Sequence, residues 1–294
     1  MLVESSPVGL VEPGTAGDPG KRVVPVEIVK PRPAPAPRRL SAPRTSVGYI
    51  AGRAFGLGMR LVPVRHRFSL AARLAGSMAV PMRATPLFRG FRTLRLNSEQ
   101  DISLHLLLRS MTASGTVFDV PLRLEGEEVL EAALSSGRGT VIVSPHALLS
   151  RLLLRHLHDR GHQPTVIGGM NGIPLAGTRA VVPTVFPNPS VLLLARRRLR
   201  EGGIVCANVD HISSRARAKH TMTFQSRVGE IHVSDSMFRL AVRCDAQVIF
   251  THARAETAGV CQWVAAPRPG SAGSPEAVAG DFVAFLQEHT AYLS

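Results

Sequence analysis

His146 and Asp210 each stand where an apolar run gives way to a loop, and both side chains can move or hold a proton. Thr140, Val141, Ile142 and Val143 precede Ser-Pro-His, and "GGIVCANV" precedes Asp210. An imidazole titrates near ~6.5 in water, which suits it to take a proton from a hydroxyl or amine at neutral pH. On position alone a turn histidine such as His146 is more often a surface or capping residue. Beyond Asp210 the stretch "HISSRARAKH" supplies Arg215, Arg217 and Lys219, with His211 and His220 adding charge when protonated. Arg227 follows in "TFQSRVGEIHVSDS", ahead of a helix that Ser234 or Asp235 would cap. Such cations bind phosphate or stabilise a carboxylate, and a solvated basic loop has the same composition. Ser144 and Ser150 flank His146, but the "GxSxG" elbow of a serine nucleophile is absent.

The elements that must position these residues follow from pattern. Thr140–Val143 has the continuous apolar character of a buried parallel strand, and Pro145, which has no N–H to donate, stops it. Leucines recur at spacings of three and four over residues 147–160, with Arg151, Arg155, His158 and Asp159 between them, and Gly161 is placed to end that helix. His146 therefore sits on a strand-to-helix turn, where open α/β sheets bind ligands. Further strands are expected at "PTVIGG", "GGIVCANVD" and "DAQVIFTHAR", separated by helices near 190–201 and 234–244. The alternation predicts an α/β fold with a mainly parallel or mixed central sheet flanked by helices.

Residues 1–46 differ from the rest. Between Lys21 and Ser46 there are six prolines and seven Lys or Arg residues against one acid, which predicts an extended, disordered arm. Residues 47–116 form a helical part of the domain. Over 47–80, scattered arginines in an apolar background fit either helix packing or contact with a membrane interface. Ser98 and Glu99 mark the start of a helix that runs on through "LHLLLRSM". Residues 117–294 are expected to form the α/β core with a C-terminal helix.

The formal net charge is +14, from 35 Lys plus Arg against 21 Asp plus Glu. That balance favours anionic partners: phospholipid headgroups, an acidic acyl carrier protein with its phosphopantetheine arm, coenzyme A or RNA. Three cysteines, Cys206, Cys244 and Cys261, make neither a disulfide framework nor a close-spaced metal pattern, so a cytoplasmic location is expected. No apolar window is long enough for a transmembrane helix, and no secretory signal is evident. Dinucleotide and P-loop patterns are absent, and His156, His158 and His162 lack a separate ligand set, so neither cofactor nor metal is expected.

Residues 123–151, "RLEGEEVLEAALSSGRGTVIVSPHALLSR", resemble the lipid A biosynthesis acyltransferases of the lauroyl/myristoyl type, part of the wider lysophospholipid acyltransferase superfamily. Glu125, Gly126, Glu128, Leu130, Ala133, Leu134, Gly137, Gly139 and His146 fit the family's lead-in to its His-x4-Asp/Glu motif. "LREGGIVCANVDH" at 199–211 is similar to a second block. Residues 222–254 are similar to a third, through Phe224, Arg227, Leu240, Ala241 and Ala246, with Ser226 where glycine is usual. The resemblance covers about residues 47–265. It implies acyl transfer from a thioester on acyl carrier protein or coenzyme A to a hydroxyl or amine, with His146 as general base. Arg215, Arg217 or Arg227 would hold donor phosphate or developing negative charge.

One departure bears directly on that chemistry. The acid of His-x4-Asp/Glu falls at position 151, which is Arg151 here. The family's carboxylate orients the histidine and supports the imidazolium, and an arginine opposes it. Asp159 and Asp210 are the candidate replacements, and Arg151 itself is a candidate substrate-binding residue. A lipid A role fits poorly with the altered motif and the Arg, Ala and Pro usage, so a specialised or antibiotic-type pathway with a small amine or alcohol acceptor carries weight comparable to a lipid acceptor. Two other expectations stand beside this: a catalytically impaired acyl- or lipid-binding homologue, and an aminoacyl-tRNA-dependent transferase acting on a small amine. An anionic membrane surface, at the inner face of the cell membrane, is a further candidate partner.

Overall fold

The computed structural model describes residues 47–290, apart from 83–97, 148, 169–171, 179, 186–189, 211–220, 227–228 and 257–258. The expected N-terminal arm, residues 1–46, lies outside the described residues, as do Arg215, Arg217 and Arg227.

The centre is a seven-stranded sheet in the order β1-β11-β10-β2-β7-β3-β6. Its strands are β1 (Leu122–Glu125), β2 (Thr140–Ser144), β3 (Thr165–Ile167), β6 (Thr184–Val185), β7 (Ile204–Asn208), β10 (Gln247–Ala255) and β11 (Val260–Ala265). Every neighbouring pair is parallel except β10 with β11. This is a mixed α/β fold with helices on both faces of the sheet. Two two-stranded ribbons accompany it: β4 (Ile173–Pro174) with β5 (Val181–Val182), and β8 (Thr221–Ser226) with β9 (Gly229–Ser234).

The central strands are apolar on both sides because both sides are covered. Along β2, Val141 and Val143 point into a core shared with α6 (Val191–Arg200), α7 (Ser236–Arg243) and α8 (Pro275–His289), while Ile142 points to the other face. There it meets Leu130 of α4 (Glu127–Ser135) and Leu153, Leu154 and Leu157 of α5 (Leu152–Asp159). β7 repeats the pattern, with Val205 and Ala207 on one side and Ile204 and Cys206 on the other. Period-two alternation between two buried faces is what a covered parallel sheet demands. Gly139, at the foot of β2, is required by proximity, since a Cβ there would lie 2.2 Å from the Leu199 carbonyl oxygen.

A separate helical layer comprises α1 (Val47–Gly58), α2 (Val64–Met82) and α3 (Glu99–Ala113). Phe68, Ala71, Ala72 and Ala75 of α2 pack against Leu104, Leu107, Leu108 and Met111 of α3, and the cluster continues into Leu149, Leu152 and Ala253. α3 starts on a capping box in which the Ser98 hydroxyl accepts from the Asp101 amide and the Asp101 carboxylate accepts from the Ser98 amide. The second Asp101 oxygen accepts the Ala255 N–H at 2.7 Å, tying the helical layer to the end of β10. On the outside, Leu57, Leu61, Leu70, Leu74 and Met78 stay exposed. No helix among the described residues is long and apolar enough to cross a membrane.

Two sequence expectations need correction. The leucine periodicity predicted a helix from residue 147, but α5 begins at Leu152. The preceding residues form tight turns, in which the Ser150 amide donates to Ala147 and the Leu152 amide to Leu149. Leu149 and Ser150 are buried there, so an apolar pattern persists through a segment that is not helical. The region ahead of α7 was expected to lead directly into a capped helix, whereas it contains the β8–β9 hairpin. Asp235, at the start of α7, makes no capping bond and instead pairs with Arg239.

His252 on β10 is fully buried, stacked on Trp263, and neither ring nitrogen has a hydrogen-bond partner among the described residues. Burial, with smaller contributions from Arg254 and His289, pushes its pKa down to about 3. Burial also depresses the pKa of His156 and His289. Below about pH 6.5 the unfolded chain therefore takes up protons that the folded chain refuses, and stability falls as the pH is lowered. His252 alone should contribute a loss of about 1 kcal/mol between pH 6.5 and 5.5, and more at lower pH until its folded value of about 3 is reached. Urea unfolding at pH 6.5 and 5.5 checks this: His252→Leu should show a smaller decline than the parent, and an equal decline would contradict it.

Candidate active site

β2 and β7 run parallel with Thr140 opposite Ile204 and Ser144 opposite Asn208. Continued two residues past each strand end, the same register sets His146 beside Asp210. The His146 ring Nδ1 lies 2.6 Å from Asp210 Oδ1. The backbone N–H of His146 also donates to both Asp210 oxygens, at 2.8 and 2.9 Å. One carboxylate thus fixes both the turn and the ring that the turn carries. An ionised carboxylate only accepts, so Nδ1 is the protonated nitrogen and the Nε2 lone pair is the basic site of the ring. The His146 side chain is 29% exposed and that of Asp210 14%, which keeps the imidazole reachable while its partner is shielded.

The strand ends are braced by further bonds. The Val209 amide donates to the Ser144 carbonyl, and the Ser234 amide of the β8–β9 hairpin donates to the Val209 carbonyl. The Ser144 hydroxyl donates to Asn208 Oδ1 at 2.7 Å. Asp159, the other candidate orienting acid, does not serve His146: it lies at the far end of α5, paired with Arg155 at 3.4 Å.

His146 opens onto a cleft of about 470 Å³. Its walls are largely apolar, with Ile142, Leu153, Leu154, Val166, Ile167 and Ile173, and its polar members include Ser144, Ser150, Arg151 and Asn208. Ser150 is buried, and its hydroxyl has no hydrogen-bond partner among the described residues. A buried hydroxyl left without a partner costs roughly 1–3 kcal/mol. Neither serine hydroxyl is hydrogen-bonded to the imidazole, so neither is set up as a nucleophile activated by it. Cys206 also lines the cleft, but burial pushes its thiol up to about 12 and keeps it protonated at neutral pH.

Arg151 lines the same cleft, just before α5. The surrounding protein lowers its pKa from the ordinary arginine range, and the neighbouring Arg109 adds to the effect. Away from the cleft, Glu127, Glu131 and His156 offer ligand atoms within 4.8 Å of one another. Arg160 is ion-paired to both glutamates and already supplies that cluster with positive charge.

Sequence reasoning singled out His146, Asp210 and Arg151, and the fold brings the first two into contact and the third to the same cleft. It missed Asn208 and Arg109. Asn208 had a signal available, two residues before Asp210 on the same strand, whereas nothing in the sequence connects Arg109 of α3 to residue 151. No protein-family model matches the chain, and no curated protein is significantly similar to it.

Because Asp210 accepts a backbone amide as well as a ring proton, its two substitutions should separate. Asp210→Ala leaves the amide without its partner and should cost about 1–3 kcal/mol of stability, while Asp210→Asn keeps an acceptor and should cost less. Denaturant unfolding of both variants measures this, and equal losses would contradict the amide's role.

Proposed function

We propose that the chain is an acyltransferase, with an architecture like that of the lipid A lauroyl/myristoyl acyltransferases it resembles in sequence, and that Asp210 does the work their motif assigns to the acid after the histidine. The observation that carries this reading is the pairing of His146, which lines an apolar-walled cleft, with a shielded carboxylate. A carboxylate on Nδ1 fixes the tautomer, orients the ring and supports the imidazolium, whichever part of the chain supplies it.

In the proposed reaction an acyl thioester, on acyl carrier protein or coenzyme A, lays its acyl group along the apolar wall. His146 Nε2 takes the proton from an acceptor amine or hydroxyl as the acceptor heteroatom bonds to the carbonyl carbon. Asp210 stabilises the imidazolium. The C–S bond then breaks, and the thiolate recovers the proton from Nε2. No covalent bond to the enzyme forms. This favours an active enzyme over a catalytically impaired homologue, since the arginine at 151 leaves His146 with an orienting acid.

The net charge of +14 suits an acidic carrier protein or a phosphorylated donor and equally leaves an aminoacyl-tRNA donor to be assayed. The exposed Leu57, Leu61, Leu70, Leu74 and Met78 offer an apolar face for peripheral contact with an anionic membrane.

The test is an acyl-transfer assay with carrier-protein, coenzyme A and aminoacyl-tRNA donors and a panel of amines and alcohols, read by intact-mass detection of product. His146→Ala should lower turnover by roughly 10²–10⁴ with little change in melting temperature. Full turnover retained by His146→Ala, with the donor and acceptor the parent uses, would overturn the reading.

A further inference from the structure

Arg151 lines two cavities. Besides the His146 cleft it borders a second, of about 430 Å³, whose wall includes His105, Arg109 and Thr112 of α3 and Pro174 and Ala176 of the following segment. The two guanidinium-bearing residues come from different layers of the protein, Arg109 from the helical layer and Arg151 from the turn that leads into α5.

The charge pattern around them is uneven. Arg155, one turn along α5, donates to the carbonyls of Phe118 and Ala176 and pairs with Asp119 and Asp159. Arg160 is engaged by Glu127 and Glu131. Arg109 and Arg151 have no hydrogen bond or ion pair with any described residue, and they share one cavity wall. Two cations held close without a counter-charge repel one another, and an anion between them removes that cost and gains charge-assisted hydrogen bonds from planar donors.

We propose that this second cavity is an oxyanion-binding subsite in which Arg109 and Arg151 together hold a carboxylate or phosphate group of the acyl acceptor. The assignment to the acceptor rests on reading the His146 cleft as the acyl-transfer site. There the apolar wall takes the acyl chain, and Arg151, bordering both cavities, sets the anionic end of the acceptor in one while its nucleophile reaches His146 in the other. The substrate class that follows is an amine or alcohol carrying an acidic group, such as an amino acid or a phosphorylated amino alcohol. On this account the arginine in place of the motif acid is a specificity residue.

The experiment is direct binding of inorganic phosphate and, separately, acetate to the full chain at constant ionic strength, followed by NMR of the arginine side-chain N–H signals. At least one anion should bind saturably. Arg109→Gln and Arg151→Gln should each weaken it by about tenfold or more, with Arg109→Lys and Arg151→Lys in between. His146→Ala, and Arg196→Gln on α6 as a control for surface charge, should stay within about twofold of the parent. Tighter phosphate binding identifies a phosphorylated acceptor, and tighter acetate binding a carboxylate-bearing one. Absence of saturation with both anions, or binding unchanged in both glutamine variants, would overturn the subsite. Because no turnover is needed, that result is distinguishable from failure of the acyl-transfer reading, which is decided by the rate of His146→Ala.

Discussion

The site depends on one carboxylate satisfying three contacts at once. Asp210 accepts the His146 amide with both oxygens and the imidazole Nδ1 with one of them. The amide contacts hold the backbone of the turn after β2 against the end of β7, and the ring contact selects the tautomer and direction of the base. A substitution at 210 therefore acts on backbone and imidazole together. The sheet makes the arrangement possible, because parallel pairing in one register from Thr140 with Ile204 to Ser144 with Asn208 delivers the two side chains to the same point.

Under the proposed function, an orienting acid supplied across the sheet leaves position 151 free for another role. Arg151 borders two cavities, the His146 cleft and a second one that it shares with Arg109. Asp210 is the carboxylate in contact with the ring, and the proposed anion subsite gives the cation at 151 a separate role.

Much of the sheet was legible in the sequence because β2, β7 and β10 are continuous apolar runs bounded by Gly, Pro or Asp, and buried parallel strands produce that signal. β1, β6 and β11 were not read. β6 spans only Thr184–Val185, and β1 is at the sheet edge with mixed polarity, so neither repeats a pattern long enough to detect. The start of α5 was misplaced because Leu149 is buried in a turn, and periodicity cannot distinguish a buried turn from a helical one. Asp210 and Asp159 could both be named as replacements for the missing acid. Choosing between them requires strand order and register, which are set by pairing between segments 64 residues apart. The partnership of Arg109 with Arg151 was invisible for the same reason, since it joins two separate layers.

The central claim is that Asp210 holds the His146 imidazole with its proton on Nδ1. The most direct measurement is ¹H–¹⁵N NMR of histidine side chains at a pH where the imidazole is neutral, with His146 assigned by its absence from His146→Ala. The account requires an Nδ1-protonated ring whose proton is shifted strongly downfield by the carboxylate, and loss of that signal in Asp210→Ala. An Nε2-protonated ring, or a His146 signal unchanged by Asp210→Ala, would contradict it.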